Sequence, residues 1–442
     1  MKRKPYFYSL LLALAFIVFS TNIVMAKPRI TSKVSSAPTG LTASGITTSE
    51  TTLSWTAVSG ATGYKIFRAT PNDSNYVQVA TVSTNSFKNT GLSAATTYWY
   101  FVRAYNSYGT SADSTHIKAA TSSVIVQAPT KLVLGYAVYY YSGDSSSYNS
   151  MVNNSTLINE IATDTYTTDG LGNITGLVPT SQLSYANSNN IKSLAMLTNN
   201  FDGSIAKTLL ESPTNRQNLI ANITAALKTN GYKGVNVDLE GVYYYDRSYY
   251  STFISELYNA LKPQGFMVTA AVPAKTYDST TDGWSGAFDY AKIASYADQL
   301  VLMTYDEHYP GGAPGPIASI GWVQNVINYA VTVVPKEKIL LGTAAYGYDW
   351  SSNGTKAYSI SQCNNLAATY GVQIQWDPVS QCPYFSYTDN SSIQHTVWFE
   401  NGTSLAYKLD LVNNSNLSGI AIWRLGLEDS NYWATIKTKF NK

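Results

Sequence analysis

The sequence predicts an eight-stranded parallel β/α barrel preceded by a small antiparallel β sandwich, and three observations lead there. Residues 37–121 alternate apolar and polar positions with period two and carry no helical period. From Leu132 onward, short apolar runs alternate with helical stretches, in eight β-then-α units. Hydrophobic residues make up 45% of the 442 and charged residues 13%, enough to fill a large core and too apolar for a disordered chain. The length suits one large fold with a small companion.

Taken in order, the chain opens on Lys2, Arg3 and Lys4, an apolar run over about 10–19, and the small-residue site Val24-Met25-Ala26. This pattern predicts a signal peptide over 1–26 and a secreted protein, extracellular or held at the cell wall. The apolar run is short for a membrane span, although Met25 departs from the usual cleavage pattern and leaves an uncleaved anchor open. Residues 27–36 and 121–131, rich in Ser, Thr, Lys and Pro, read as linkers. Between them, Thr51-Thr52-Leu53-Ser54-Trp55 and Tyr64-Lys65-Ile66-Phe67-Arg68 read as strands. Leu92, Thr96, Tyr98, Val102 and Ala104 have the spacing of a tyrosine corner, in which a Tyr hydroxyl ties a strand to the preceding loop. The barrel strands are expected at 132–138, 158–162, 191–197, 234–240, 267–272, 299–305, 339–344 and 419–423, with helices such as 216–228 and 249–261 between them. The longer interval 346–410 has room for an inserted α+β subdomain, completing a catalytic unit over 131–442.

The segment Gly231-Tyr232-Lys233-Gly234-Val235-Asn236-Val237-Asp238-Leu239-Glu240 carries the chemistry. Side chains alternate across a strand, so Asn236, Asp238 and Glu240 share one face and Val235, Val237 and Leu239 the other. In a barrel the apolar face packs on helices and the polar row points inward, with Glu240 at the C-terminal mouth where barrel enzymes do their chemistry. Two carboxylates spaced by two residues lie about 6.5–7 Å apart along the backbone and point the same way. They cannot flank a sugar as the acid and nucleophile of an ordinary retaining glycosidase do. One can act as acid while the other, as an anion, raises its partner's pKa; if the substrate carries a 2-acetamido group, its own carbonyl can attack the anomeric carbon while the second carboxylate orients it.

These residues resemble glycoside hydrolase family 18. The family's strand motif Asp-Gly-x-Asp-x-Asp-x-Glu is met by Lys233-Gly234-Val235-Asn236-Val237-Asp238-Leu239-Glu240, its Met-x-Tyr-Asp by Met303-Thr304-Tyr305-Asp306, and its eighth-strand Trp by Trp423. The runs Leu302 to His308, Ala345-Tyr346-Gly347-Tyr348-Asp349-Trp350, Val397-Trp398-Phe399-Glu400 and Ile422-Trp423-Arg424-Leu425-Gly426 are most similar to the branch holding bacterial spore cortex-lytic N-acetylglucosaminidases. The resemblance implies that Glu240 is general acid and later base, that Asp238 holds the acetamido group, and that Tyr305 donates to its oxygen. It implies that Trp423 floors the sugar whose bond breaks and that Asn236, Asp306, Met303 and Tyr136 complete the sugar contacts. The substrate it implies is a polymer of β-1,4-linked N-acetylglucosamine, either chitin or the peptidoglycan glycan strand. Two positions depart from the chitinase pattern. Lys233 and Asn236 replace acids, and Asn236 can still bond Asp238 but cannot share its charge. The third strand ends Leu197-Thr198-Asn199-Asn200 rather than in a Gly-rich form. The first block, with Ala37-Pro38 at its start and Trp55 in its second strand, resembles a fibronectin type III domain, a spacer with no chemistry of its own.

Other classes fit less well. His116, His308 and His395 lack metal-ligand spacing, and no dinucleotide fingerprint, phosphate loop or nucleophile elbow occurs, so neither a metal nor a cofactor is expected. A formal charge of +2 gives no reason to expect nucleic acid or an anionic membrane as partner, and a monomer is expected. The 36 Tyr and 9 Trp against 13 Phe suit sugar stacking at exposed positions and half-buried strand packing elsewhere. Cys363 and Cys382 can close a short loop as a disulfide in an exported protein, or stay two free thiols. The rivals to the enzyme are a non-catalytic, chitinase-like binding protein on the same barrel and an adhesion protein driven by the sandwich.

Overall fold

The computed structural model describes residues 36–123 and 131–442. The expected signal peptide at 1–26 lies outside the described residues, as do most of both expected linkers. The chain divides into two compact units, Met1–Ala128 and Pro129–Lys442. No helix among the described residues is long and apolar enough to cross a membrane.

The first unit is the expected sandwich. Strands Thr42–Ser44, Glu50–Ser54 and Ser86–Thr90 form one antiparallel sheet. Gly63–Ala69, Val77–Val82, Thr97–Asn106, Gly109–Thr110 and Ile117–Ala120 form the other. Leu53, Trp55, Tyr64, Ile66, Tyr100 and Val102 fill the space between them. The corner is present: the Ser93 N–H donates to the Tyr98 hydroxyl at 2.9 Å.

In the second unit eight parallel strands close on themselves: Leu132–Ala137, Glu160–Thr168, Lys192–Thr198, Gly234–Asp238, Met267–Pro273, Gln299–Met303, Ile339–Ala344 and Gly419–Trp423. Alternation sorts their side chains. Val133, Ile161, Leu197, Val235, Val237, Leu300, Leu341 and Ile420 face the helices in the main core. Leu134, Ala162, Leu194, Met196, Ala271, Val301, Leu340 and Ala421 fill the barrel itself. The helix before the fourth strand, Pro213–Asn230, starts at a Ser212 cap accepting from the Asn215 N–H, with Pro213 in its first turn, where a missing N–H is harmless.

Several expected boundaries shift, and the sixth strand, like the fourth, ends two residues early, at Met303. The second strand begins at Glu160 and runs to Thr168, six residues past its expected end. Its β-branched and aromatic run outlasts the barrel through a register shift between Asp164 and Tyr166 and then pairs with Ile174–Thr175. The fourth strand stops at Asp238, so Glu240 lies just beyond it. The inserted subdomain ends earlier than 410. Its five-stranded antiparallel sheet runs from Tyr346–Ser351 to Gln394–Phe399 with helix Ile360–Thr369, whereas Gly402–Asn414 is a barrel helix whose Leu405, Leu409 and Val412 join the main core.

Candidate active site

The polar row sits where alternation puts it. Asn236 and Asp238 are buried inside the barrel, and Glu240 is half-buried at the mouth. Asn236 could reach Asp238, but its Nδ2 donates instead to Thr269 Oγ1 on the fifth strand at 2.8 Å. Inward-facing Thr269 pairs with Asn236 in the strand register, so the amide reaches sideways rather than along its own strand. Asp238 therefore keeps Oδ1 buried without a hydrogen-bond partner from the protein. A buried acceptor of this kind is costly unless a ligand donates to it. Lys233 is exposed at the foot of the strand, seven residues before Glu240 and so roughly 20 Å below it, and takes no part in the site.

The electrostatics raise the proton affinity of the inner groups. Burial, then the charges of Asp238 and Asp306, raises the Glu240 pKa. Burial, then Asp164, raises that of Asp238. Tyr305 lies among Tyr136, Asp238, Glu240 and Asp306, and burial together with those neighbours holds its hydroxyl protonated, hence a donor. The seventh strand makes room for its ring: a Cβ on Gly342 would stand 2.9 Å from Tyr305 Cε1. Trp423 ends the eighth strand with Tyr136 edge-on to it, ring centroids 5.3 Å apart. Met303 ends the sixth strand and packs against the barrel interior. Asp306, at φ 58°, is held from the insertion: the Tyr346 and Tyr348 hydroxyls both donate to its Oδ1, the second at 3.1 Å. Burial raises the Asp306 carboxyl and these two bonds pull it back.

The structure thus gathers Tyr136, Asn236, Asp238, Glu240, Met303, Tyr305, Asp306 and Trp423 around one mouth. It does not join Cys363 to Cys382. Both are buried free thiols, and the bridged alternative fails on strand alternation. Cys363 packs with Phe385 and Tyr387 on one face of the inserted sheet, whereas Cys382, offset by odd steps on the same strand, turns its Sγ toward the Ala318 carbonyl and Glu400.

Sequence reasoning missed five contributors. Asp164 follows Ala162 on the inward face, and carrying the second strand two residues further would have found it. Tyr346 and Tyr348 alternate in a run whose signal is its family resemblance, and that alternation puts both hydroxyls on one face. Thr269 left no signal. Asn199, fully buried at the end of the third strand, accepts from the Glu240 N–H at 2.8 Å and donates to the Glu240 carbonyl at 2.8 Å.

Residues 161–428 match the model of glycosyl hydrolases family 18, and residues 36–120 that of the fibronectin type III domain. The chain is 35% identical to the uncharacterized glycosylase YvbX of Bacillus subtilis, over 69% of this chain and 91% of that one. Among solved structures it is similar to the Bacillus megaterium spore cortex-lytic enzyme SleL (TM-score 0.67, 27% identity, 74% of this chain and 78% of that one). It is also similar to a chitinase from Chromobacterium violaceum (TM-score 0.65, 30% identity, 71% and 99%).

Proposed function

Because this chain belongs to glycosyl hydrolases family 18, we propose that it cleaves polymers of β-1,4-linked N-acetylglucosamine, chitin or peptidoglycan glycan strands, with retention and with help from the substrate's own amide. The observation that carries this reading is Asp238 Oδ1, a buried acceptor left open beside an acid whose proton is held. An acetamido N–H donating to that oxygen satisfies it and turns the acetamido carbonyl oxygen toward the anomeric carbon. Tyr305 donates to the same carbonyl group, and Trp423 lies under the ring. Glu240 gives its proton to the glycosidic oxygen as that bond breaks and the carbonyl oxygen closes onto the anomeric carbon, leaving an oxazolinium ion and a free sugar hydroxyl. Water then attacks the same carbon, Glu240 takes its proton, and the amide is restored. The double displacement retains configuration.

The similarity to both a spore cortex-lytic enzyme and a chitinase supports this shared sugar chemistry. The basic start, apolar run and small-residue site support export to the cell exterior or wall. The test is product analysis on chitin oligomers beside muropeptides. Cleavage of at least one is expected, and Glu240→Gln should reduce kcat by about 10²–10⁴-fold, the usual weight of a general acid. Equal activity in that variant, or equal rates on sugars lacking the amide, would overturn the reading.

A further inference from the structure

We propose that Asn199 is the positioning residue for Glu240, its side-chain amide extending the third strand's pairing to the one residue that must move a proton. The inference rests on the functional reading above. Backbone pairing between the third and fourth strands runs from Leu194 opposite Gly234 to Thr198 opposite Asp238 and stops there. Glu240 lies two residues further on, where no strand remains to pair with it. A primary amide carries the same donor and acceptor as a peptide unit. The Asn199 amide takes that place, holding both the N–H and the carbonyl of Glu240.

The clamp is itself fixed. The second Nδ2 proton goes to the Asp202 carbonyl at 2.9 Å, and Asp202 caps helix Gly203–Glu211 by accepting from the Ser204 and Ile205 N–H groups. Between clamp and cap, Asn200 and Phe201 both take left-handed backbone, at φ 53° and 59°. Conformations of this kind persist where surrounding bonds over-determine them. The turn after Glu240 fits against the same loop: Gly241 has φ +66°, and a Cβ there would lie 2.8 Å from the Phe201 carbonyl oxygen.

The Glu240 carboxyl has no such support. Among the described residues none hydrogen-bonds it, and its neighbours act on it only through charge and burial. Its reach toward a sugar oxygen is therefore anchored at the backbone, by the two bonds from Asn199. One carboxyl has to serve twice, first as acid and then as base, and a displacement near 1 Å costs about 100-fold in rate. A residue that only stabilised the loop would leave this step alone.

The experiment compares wild type, Asn199→Ala and Asn199→Asp on N-acetylglucosamine oligomers, with kcat, KM and pH profiles and thermal unfolding of each. Asn199→Ala should lower kcat about 100-fold with KM within about threefold, since Trp423 and Tyr305 still seat the sugar. Asn199→Asp keeps shape and the acceptor for the Glu240 N–H but loses the donor and adds charge. Its kcat should fall too, and its alkaline limb should move to higher pH, a shift that loop stability alone would not produce. If Asn199→Ala does not fold, the near-isosteric Asn199→Asp decides alone. A folded variant of either kind with kcat within threefold of wild type overturns the inference. So does a kcat loss matched by an equal rise in KM. A wild-type protein inactive on every such oligomer removes the functional reading, and this inference falls with it.

Discussion

A carboxylic acid that is to protonate an ether oxygen near neutrality must lose its own proton late. Glu240 is arranged for this by burial first, by the Asp238 charge second and by Asp306 third. The protonated form is the active one in bond breaking, so activity is present below the Glu240 pKa and lost as pH rises through it. Asp238→Asn removes one raising charge and lowers that pKa. The alkaline limb of the residual kcat/KM should therefore move to lower pH, alongside a fall in kcat from the misoriented amide. A limb that stays in place or moves upward on N-acetylglucosamine oligomers means that the Asp238 charge is not what keeps the proton. At this scale the carboxylates were readable because Val235, Val237 and Leu239 are unambiguously apolar, which fixes the opposite face by alternation. Asn199 and Thr269 were not, because a side chain bonding across strands leaves no period in its own segment. Lys233 was readable as a departure but not as an irrelevant one until its place at the foot of the strand was known.

At the scale of elements, the inserted subdomain reaches into the site through two tyrosines of strand Tyr346–Ser351, which hold Asp306. Its anchorage on the barrel side is a buried ion pair. Lys408, on helix Gly402–Asn414, donates to both oxygens of Glu400 at 3.0 and 2.8 Å, and the Ser404 hydroxyl donates to Oε2 at 2.6 Å. Both charges are almost wholly buried. Such a pair adds little over apolar groups of the same volume, yet removing one partner strands the other charge. Lys408→Met should lower unfolding free energy by about 3–5 kcal/mol in urea titrations. The double variant Lys408→Met/Glu400→Gln should recover much of that loss. A single variant as stable as wild type would contradict this weighting of the pair. The eight barrel strands were legible because parallel strands are buried on both faces and read as unbroken apolar runs. Their ends were less so. Thr163 to Thr168 is polar enough to pass for a loop, and only its pairing with neighbouring strands shows it to be sheet. The insertion's end was misplaced because the Leu405, Leu409 and Val412 stripe belongs to the barrel, and spacing alone does not say which core a helical stripe joins.

For the whole molecule, the two units differ in what they offer chemistry. The sandwich spends its apolar residues on one small core around Trp55 and Tyr100. The barrel unit contains every residue placed around the Glu240 mouth, along with its own closed core. A closed barrel has no free edge strands and needs no neighbour to complete its sheet. The unit Pro129–Lys442 should therefore fold without residues 27–122. A protein lacking those residues should cleave soluble N-acetylglucosamine oligomers within about twofold of the full chain, well inside the factor of ten that 1.4 kcal/mol of barrier represents. Insoluble chitin and intact peptidoglycan sacculi assayed in parallel separate the remaining roles. Equal rates there make the sandwich a spacer, whereas a loss confined to the insoluble substrates gives it polymer binding. Loss of oligomer cleavage in a truncated protein that still unfolds cooperatively would contradict the division of labour itself. In that case the adhesion reading of the chain would regain its footing.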